Sequence, residues 1–563
     1  MSDILLVTLN ARYSHASLGL RYLYANLGEL RARAEILEFV IGTRSETLAE
    51  RILTRRPRIV GFGVYIWNVE ETTRLAAMLK RVDPTLTIVV GGPEVSHETG
   101  EQRICREADH VITGPGDLSF ARLCRQLLDG PRPLSKILAG EGGELAQLQL
   151  PYRHYSDTDL RERTLYVEAS RGCPYKCEFC LSALDRTAVP FPLDALLQEL
   201  ALLYERGARL FKFVDRTFNL KPATSVAILE FFLQRIEARP DDPVFAHFEL
   251  VPDHLPERLR EMVVRFPPGA LQFEIGIQTW NPAVQALISR RQDNAKAEAN
   301  IGWLAAHTHA HLHVDLIAGL PGEDLTSFAA GFDRLLRLRP HEIQVGILKR
   351  LRGAPIARHT DTHGLRFNPD PPYNVLATDH LPFATLQRIS RFARHWDLVA
   401  NSGRFAGTLP VMLGMPPDQA GRTAPSNRAT LAGHAAPTVG IEIKPDEHSA
   451  FERFMAFSEW LSERSDGSGR MSAERLFEAV HGWVREGLQL DRGTADELLG
   501  ADYRASGLRG RPAFIAGSVR PGAAAEVGLS PAPHVDSATA AQPGRPAQTG
   551  ALKRQTAFAR QLP

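Results

Sequence analysis

The sequence predicts an α/β chain with two successive parallel sheets, the first doubly wound and the second a partial barrel, followed by a helical segment and a disordered tail. Three observations predict it. Short apolar runs alternate with amphipathic stretches through the first 130 residues, the alternation restarts near residue 166 and repeats six times, and from Pro371 the strand runs give way to helical periodicity. Parallel strands need crossover connections, which this spacing supplies.

In the first block the strand candidates are Ile4 to Leu9, Glu35 to Val40, Ile59 to Tyr65, Ile88 to Gly92 and His110 to Thr113. Doubly wound sheets bind ligands at the carboxyl ends of their strands. Those ends carry Asn10, Tyr13 and Ser14, then Tyr65 and Trp67, then Gly91, Gly92 and Ser96, and finally Gly114 and Gly116. Small residues beside aromatic ones suit a large flat ligand. The second block offers Tyr166 to Ser170, Phe211 to Asp215, Phe245 to Leu250, Phe273 to Gln278, Val314 to Gly319 and Ile343 to Leu348. Six strand and helix units predict a partial, TIM-like (β/α)6 barrel, with its chemistry at the strands' carboxyl ends.

Helical patterns follow at Ala384 to Val399, Ser449 to Glu463 and Ala473 to Glu486, and Gly414 to Glu447 reads as loop. The domains drawn on this basis are 1–135, a linker over 136–162, 163–365, a helical domain over 366–500 and a disordered tail over 501–563. The tail is dominated by Ala, Pro, Gly, Ser and Gln, and cannot bury enough surface to offset its ordering entropy.

Lys plus Arg, at 66, nearly cancel Asp plus Glu, at 65, so no global field draws the chain to nucleic acid or an anionic membrane. The start MSDILLVTLN lacks the basic region of a signal peptide, and no stretch of about 18 apolar residues follows, which predicts a cytoplasmic protein with no membrane partner. Three of the five cysteines fall within eight residues, a pattern for metal ligation rather than disulfides. Cys105 and Cys124 stand apart and read as plain buried thiols.

The cysteine segment is Arg171-Gly-Cys-Pro-Tyr-Lys-Cys-Glu-Phe-Cys180, directly after a predicted strand. A [4Fe–4S] cluster held by three thiolates keeps one iron open for a ligand. A zinc site would show paired C-x2-C units, and no second pair exists. The spacing C-x3-C-x2-C, with an aromatic Phe179 before the last cysteine, resembles that of the radical S-adenosylmethionine superfamily. The likeness extends to Phe213-Val-Asp-Arg-Thr-Phe218, Phe248-Glu-Leu250, Phe273-Glu-Ile-Gly-Ile-Gln278 and Val314-Asp-Leu-Ile-Ala-Gly-Leu-Pro-Gly-Glu323, although the family often has a second Asp where Arg216 stands. The resemblance implies a [4Fe–4S] cluster on Cys173, Cys177 and Cys180. It also implies S-adenosylmethionine bound on the open iron and beside Phe179, Glu249, Gln278, Arg290, Ile317, Gly319 and Pro321. Carboxylates and amides at barrel strand ends also brace loops, so for the polar residues both roles stand open.

The first sheet resembles the Rossmann-like cobalamin-binding domains that precede this barrel in part of the superfamily. Gly91-Gly-Pro-Glu-Val-Ser96 and Asp109-His-Val-Ile-Thr-Gly-Pro-Gly116 carry the likeness. It implies cobalamin at Asn10, Tyr13, Ser14, Tyr65, Trp67, Gly91, Gly92, Ser96, Gly114 and Gly116; for the three aromatic residues plain packing is the other reading. The D-x-H-x-x-G pattern that supplies a cobalt ligand elsewhere is absent, so His15 is read as a non-ligand. Beyond the barrel, Arg391-Phe-Ala-Arg-His-Trp-Asp397 resembles a domain of unknown function.

The activity implied is reductive cleavage of S-adenosylmethionine to a 5′-deoxyadenosyl radical, followed by methylation of an unactivated carbon or phosphorus in a small-molecule or peptide substrate. The electron comes from a donor such as flavodoxin or ferredoxin. The rivals are a cobalamin-assisted rearrangement or cyclisation, a tRNA methylthiotransferase, and a non-catalytic cobalamin or redox sensor. The methylthiotransferase would carry a second cysteine cluster before the barrel, where only Cys105 and Cys124 occur. Residues with a direct catalytic role are not identified by the sequence.

Overall fold

The computed structural model describes residues 2–415, 448–464, 471–510 and 512–516. The chain divides into two compact units, 1–390 and 391–563. The expected loop over 414–447 and tail over 501–563 lie mostly outside the described residues, but helix Arg492–Ala505 crosses the start drawn for the tail.

The first sheet has six parallel strands, β1 Ile4–Asn10, β2 Ala34–Val40, β3 Ile59–Gly63, β4 Thr87–Gly91, β5 His110–Thr113 and β6 Ile137–Ala139, in the order β2-β1-β3-β4-β5-β6. The sixth falls in the expected linker. It is three residues long with Ile137 half exposed, so no apolar alternation marks it. Strand β1 is buried along its whole length. Leu5, Val7 and Leu9 pack with the helices of 45–53 and 69–82, whereas Ile4 and Leu6 pack with those of 18–25 and 119–129. Each such fully buried side chain contributes about 1.5–3 kcal/mol relative to exposure. The strand order reverses between β1 and β3, which puts the crevice of the sheet at Asn10 to His15 and Tyr65 to Trp67.

The second sheet is also six-stranded and parallel. It runs from β7 Leu165–Val167 through β10 Leu210–Phe213, β11 Phe245–Leu250, β12 Leu271–Gln278 and β13 His311–Ala318 to β14 Glu342–Ile347. Between β7 and β10 a short antiparallel pair, β8 Ser170–Arg171 with β9 Val189–Pro190, brackets the cysteine segment. Residues alternate along the barrel strands. Phe211, Phe213, Phe248 and Phe273 are buried, and the first three gather around Phe232 of helix Pro222–Ala238, with Phe218 against Phe213 and Phe248; Phe213 and Phe248 lie 4.6 Å apart. Between them stand Lys212, His247, Glu249 and Glu274.

Residues 366–390, drawn with the helical domain from sequence, fold with the first unit. Val375 N donates to Leu348 O at 2.8 Å and Arg350 N to Tyr373 O at 2.9 Å, extending the end of the barrel. The second unit is helical, with helices Ala450–Arg464, Ala473–Glu486 and Arg492–Ala505 around Phe392, Phe451, Phe454, Phe477 and Tyr503. No helix among the described residues is long and apolar enough to cross a membrane.

Candidate functional site

A cavity of about 190 Å³ opens at the carboxyl ends of the barrel strands, walled on one side by Cys173, Cys177, Phe179 and Cys180. The loop reaches this position through Gly172. Its φ is +86°, and a Cβ there would stand 2.6 Å from Thr187 O, so only glycine fits. Cys173 N donates to Asp185 O at 2.8 Å and Cys180 N to Cys177 O at 3.1 Å. Cys173 and Cys177 are buried and Cys180 is half-buried. Burial pushes the thiols of Cys173 and Cys177 up, and at Cys177 the Arg290 guanidinium opposes it, with Nη1 3.5 Å from Sγ.

Glu178, between the second and third cysteines, is buried and ties the loop down. Its carboxylate accepts from Ser289 Oγ at 2.5 Å, from Arg358 and from His359 Nε2 at 2.9 Å. Its backbone bonds Ile288 O and Ile356 N.

The opposite wall comes from the barrel strands, with Glu249, Glu274, Gln278, Arg290, Asp315 and Arg216 in the lining. Glu249 and Glu274 stand opposite each other on β11 and β12. Burial pushes the carboxyl of Glu249 up to about 7 against the pull of Arg216, whose Nη1 donates to both oxygens at 2.8 and 2.9 Å. Burial works against Glu274 as well, but the His247 hydrogen bond and the Lys212 ammonium outweigh it and hold that carboxyl well below its usual range. Two neighbouring carboxyls are thus pushed apart, one able to donate near neutral pH and one a fixed acceptor. Beneath them His313 faces a carboxylate at each ring nitrogen, Asp315 at 3.0 Å and Glu342 at 3.3 Å.

Gln278 ends β12 with φ +69°, a strained conformation for a side chain other than glycine, and its buried Oε1 lacks a hydrogen-bond partner among the described residues. Ile317, Gly319 and Pro321 are not in the lining. A Cβ on Gly319 would stand 2.4 Å from Val375, so this turn packs on the segment after β14. Arg216, Glu274 and Asp315 were not singled out from sequence. The usable signal was a charged residue inside each apolar strand motif, as in Phe273-Glu-Ile.

At the crevice of the first sheet Tyr65 and Trp67 stack 4.5 Å apart, with Trp67 exposed. Gly92 has φ +115°, and a Cβ there would meet Val64 O at 2.5 Å. Ser96 Oγ accepts from Gly114 N at 3.0 Å and donates to Gly92 O at 2.8 Å, knitting the two glycine turns together. Asn10, Tyr13 and Ser14 are engaged elsewhere. Asn10 Nδ2 donates to His15 O and Glu38, Tyr13 OH donates to Glu162, and Ser14 O accepts from Thr164 N. His15 Nδ1 lies 2.5 Å from Tyr166 OH on the first barrel strand.

The fit to the implied groups can be tested on these residues. Among the described residues no three His, Cys, Asp or Glu side chains gather around a single ion position. The three thiols lie on one loop and line one cavity, as suits a cluster that takes each cysteine on a different iron. The orphaned Gln278 Oε1 in the same cavity offers an acceptor to a ligand donor. Small turns beside an exposed aromatic pair suit a corrin edge.

Comparison with known proteins agrees with this layout. The family described as B12 binding domain matches residues 4–124, the Radical SAM superfamily matches 167–334, and a protein family of unknown function, DUF4080, matches 361–420. The chain is 29% identical over 199 residues to the uncharacterized methyltransferase PH0819 of Pyrococcus horikoshii, covering 31% of this chain and 42% of that protein. It is 24% identical over 344 residues to the cobalamin-dependent radical SAM methyltransferase TokK of Streptomyces tokunonensis, covering 56% and 50%. The chain spans about half the length of the curated relatives it matches. Its fold resembles the solved structure of the radical S-adenosylmethionine methyltransferase TsrM from Kitasatospora setae with cobalamin and a [4Fe–4S] cluster bound. The TM-score is 0.52 at 17% identity, over 66% of this chain and 78% of that one. Residues 4–124, the doubly wound sheet, and 167–334, the barrel, thus match the B12 binding domain and the Radical SAM superfamily in that order.

Proposed function

We propose that this chain is a cobalamin-dependent radical S-adenosylmethionine enzyme that methylates an unactivated carbon or phosphorus of a small-molecule or peptide substrate. The observation that carries the reading is the cavity in which Cys173, Cys177 and Cys180 face Glu249, Gln278 and Arg290 across the barrel mouth. The cobalamin-dependent methyltransferases among its relatives favour methyl transfer over rearrangement. When bound, the iron–sulfur cluster supplies an electron to S-adenosylmethionine and cobalamin supplies a transferable methyl group.

The chain's own residues bind and orient. Arg290 sets a positive charge against the Cys177 sulfur and anchors itself on Gly276 O and Gln292, so the cysteine loop and β12 keep one spacing. Gln278 Oε1 accepts a donor of the ligand, and Glu249, whose carboxyl burial pushes up, lines the same cavity as a polar contact for a ligand hydroxyl or amine. Phe179 lines the cavity beside the cysteines and gives a ligand an apolar wall there. A small electron carrier such as flavodoxin or ferredoxin would deliver the electron.

The test is anaerobic reconstitution with iron, sulfide and cobalamin, followed by strong reduction with S-adenosylmethionine. Formation of 5′-deoxyadenosine and S-adenosylhomocysteine is expected, with both lost in the Cys173, Cys177 and Cys180 triple Ala variant and kept in Cys105→Ala and Cys124→Ala. Intact cluster without either product would sink the enzyme reading and favour a sensor.

A further inference from the structure

Arg171 stands two residues before Cys173 and reaches out of the barrel to the first sheet. Its guanidinium forms a two-pronged bond with Asp117, Nη1 to Oδ2 at 2.9 Å and Nη2 to Oδ1 at 3.1 Å. Asp117 directly follows Gly116, the last of the glycine turns at the sheet's crevice. The third donor, Nε, goes to Glu168 Oε1 at 2.9 Å, just after β7. The plane of the guanidinium is set by aromatic rings, Tyr22 at 4.6 Å and Phe191 at 5.5 Å, which belong with Leu118 to one small apolar cluster. Both carboxylates are nearly buried, with Asp117 12% and Glu168 10% exposed.

A planar fork held at three donors and packed against two neighbouring rings has one geometry, unlike a lysine ammonium on a flexible stem. Gly172, the residue between Arg171 and Cys173, is itself locked by its backbone. The path from the first cysteine to the last glycine turn is therefore Cys173, Gly172, Arg171, Asp117 and Gly116, with one side-chain contact in it. Other sheet-to-barrel contacts exist, but Arg352, which meets Glu94, lies far along the chain from the cysteines, and Tyr166, which meets His15, precedes the cysteine loop by a whole strand end.

We infer that Arg171 is a positioning residue that fixes the separation and angle between the cysteine loop and the glycine turn, and hence between a cluster on the one and cobalamin on the other. The inference rests on the cofactor reading above. Nothing else in the cysteine motif explains why an arginine at this position should carry both Asp117 and Glu168.

The experiment uses the full chain, reconstituted anaerobically and loaded with cob(II)alamin, with the cluster reduced, so that both centres are paramagnetic. In the unaltered chain, paramagnetic resonance should show one well-defined interaction between cobalt and cluster, read as faster relaxation of the cluster signal. In Arg171→Lys and Asp117→Asn, each retaining its iron and cobalamin content, that interaction should weaken or spread into a distribution. Arg125→Gln, which breaks an exposed pair between two helical segments that flank the first sheet, should leave it as it was. If Arg171→Met proves too damaged to load, the two milder variants still decide. An interaction identical in all four loaded proteins overturns the positioning role while the cofactor reading stands. An unaltered chain that binds no cobalamin overturns the cofactor reading, and this role with it.

Discussion

Glu178 shows how much a single residue inside a motif can carry. The cysteine spacing constrains nothing at this position, yet here a buried carboxylate gathers Ser289, Arg358 and His359 from two later segments and so ties the cysteine loop across the barrel mouth. Glu178→Ala would leave His359, itself buried, and Ser289 without their acceptor. Leaving buried donors without their acceptor costs about 1–3 kcal/mol, and Arg358, itself exposed, adds little. Denaturant unfolding of the apo protein should show a loss of that size, and reconstituted variant should hold its iron less firmly against a chelator. Glu178→Gln, which keeps the acceptor oxygen, should recover part of both. Unchanged stability would show the network to be incidental.

At the scale of elements, the barrel strands place aromatic residues in one layer and ionisable ones in another, and the second layer has a pH signature. His247 is fully buried beside Lys212, and burial lowers its pKa to about 4 from 6.5. Above pH 6.5 the imidazole is neutral whether folded or not. As pH falls from 6.5 toward 4, the unfolded chain takes the proton first, so stability is lost through that window, by about 3 kcal/mol at most. His247→Gln removes this contribution. The gap between unaltered chain and variant, measured by unfolding at pH 7 and pH 4.5, should shift in favour of the variant at the lower pH. A gap independent of pH would mean that burial does not shift His247, and one that moves in favour of the unaltered chain would mean that His247 is charged when folded.

For the whole first unit, ionic contacts join the sheet and barrel beside the small apolar cluster of Tyr22, Leu118 and Phe191. Glu94, on the loop after β4, is buried and bonds Tyr373 OH at 2.7 Å and Arg352 Nε at 3.1 Å, and Arg352 also meets Glu98 at 2.9 Å. Arg21 joins Glu38 of the first sheet to Asp159 ahead of the barrel, at 2.8 Å each. Arg352→Ala leaves Glu94 buried without its cation, at a cost of about 3 kcal/mol. Because that pair bridges the two sheets, near-ultraviolet dichroism and intrinsic fluorescence should report one common shift of the unfolding transition. Separate transitions for sheet and barrel would show that the contact does not couple them.

The sequence by itself determined the two parallel sheets, the helical segment after them and the loop bearing Cys173, Cys177 and Cys180, because periodicity and motif spacing are local properties of the chain. It also contained Glu249, Gln278 and Arg290, each at the end of a recognisable strand or just past it. Only the tertiary structure decided that Glu274, Asp315 and Arg216 join them in one cavity while Ile317, Gly319 and Pro321 do not line it. Strand alternation says that Glu274 and Phe273 face opposite ways, but not which way is inward. The short strand β6, the barrel extension over 366–390 and the bonds of Arg171 and Glu178 were beyond it for a related reason. Each is made by partners tens to hundreds of residues away, such as the 180 between Glu178 and Arg358, and such pairings leave no periodic trace in either segment.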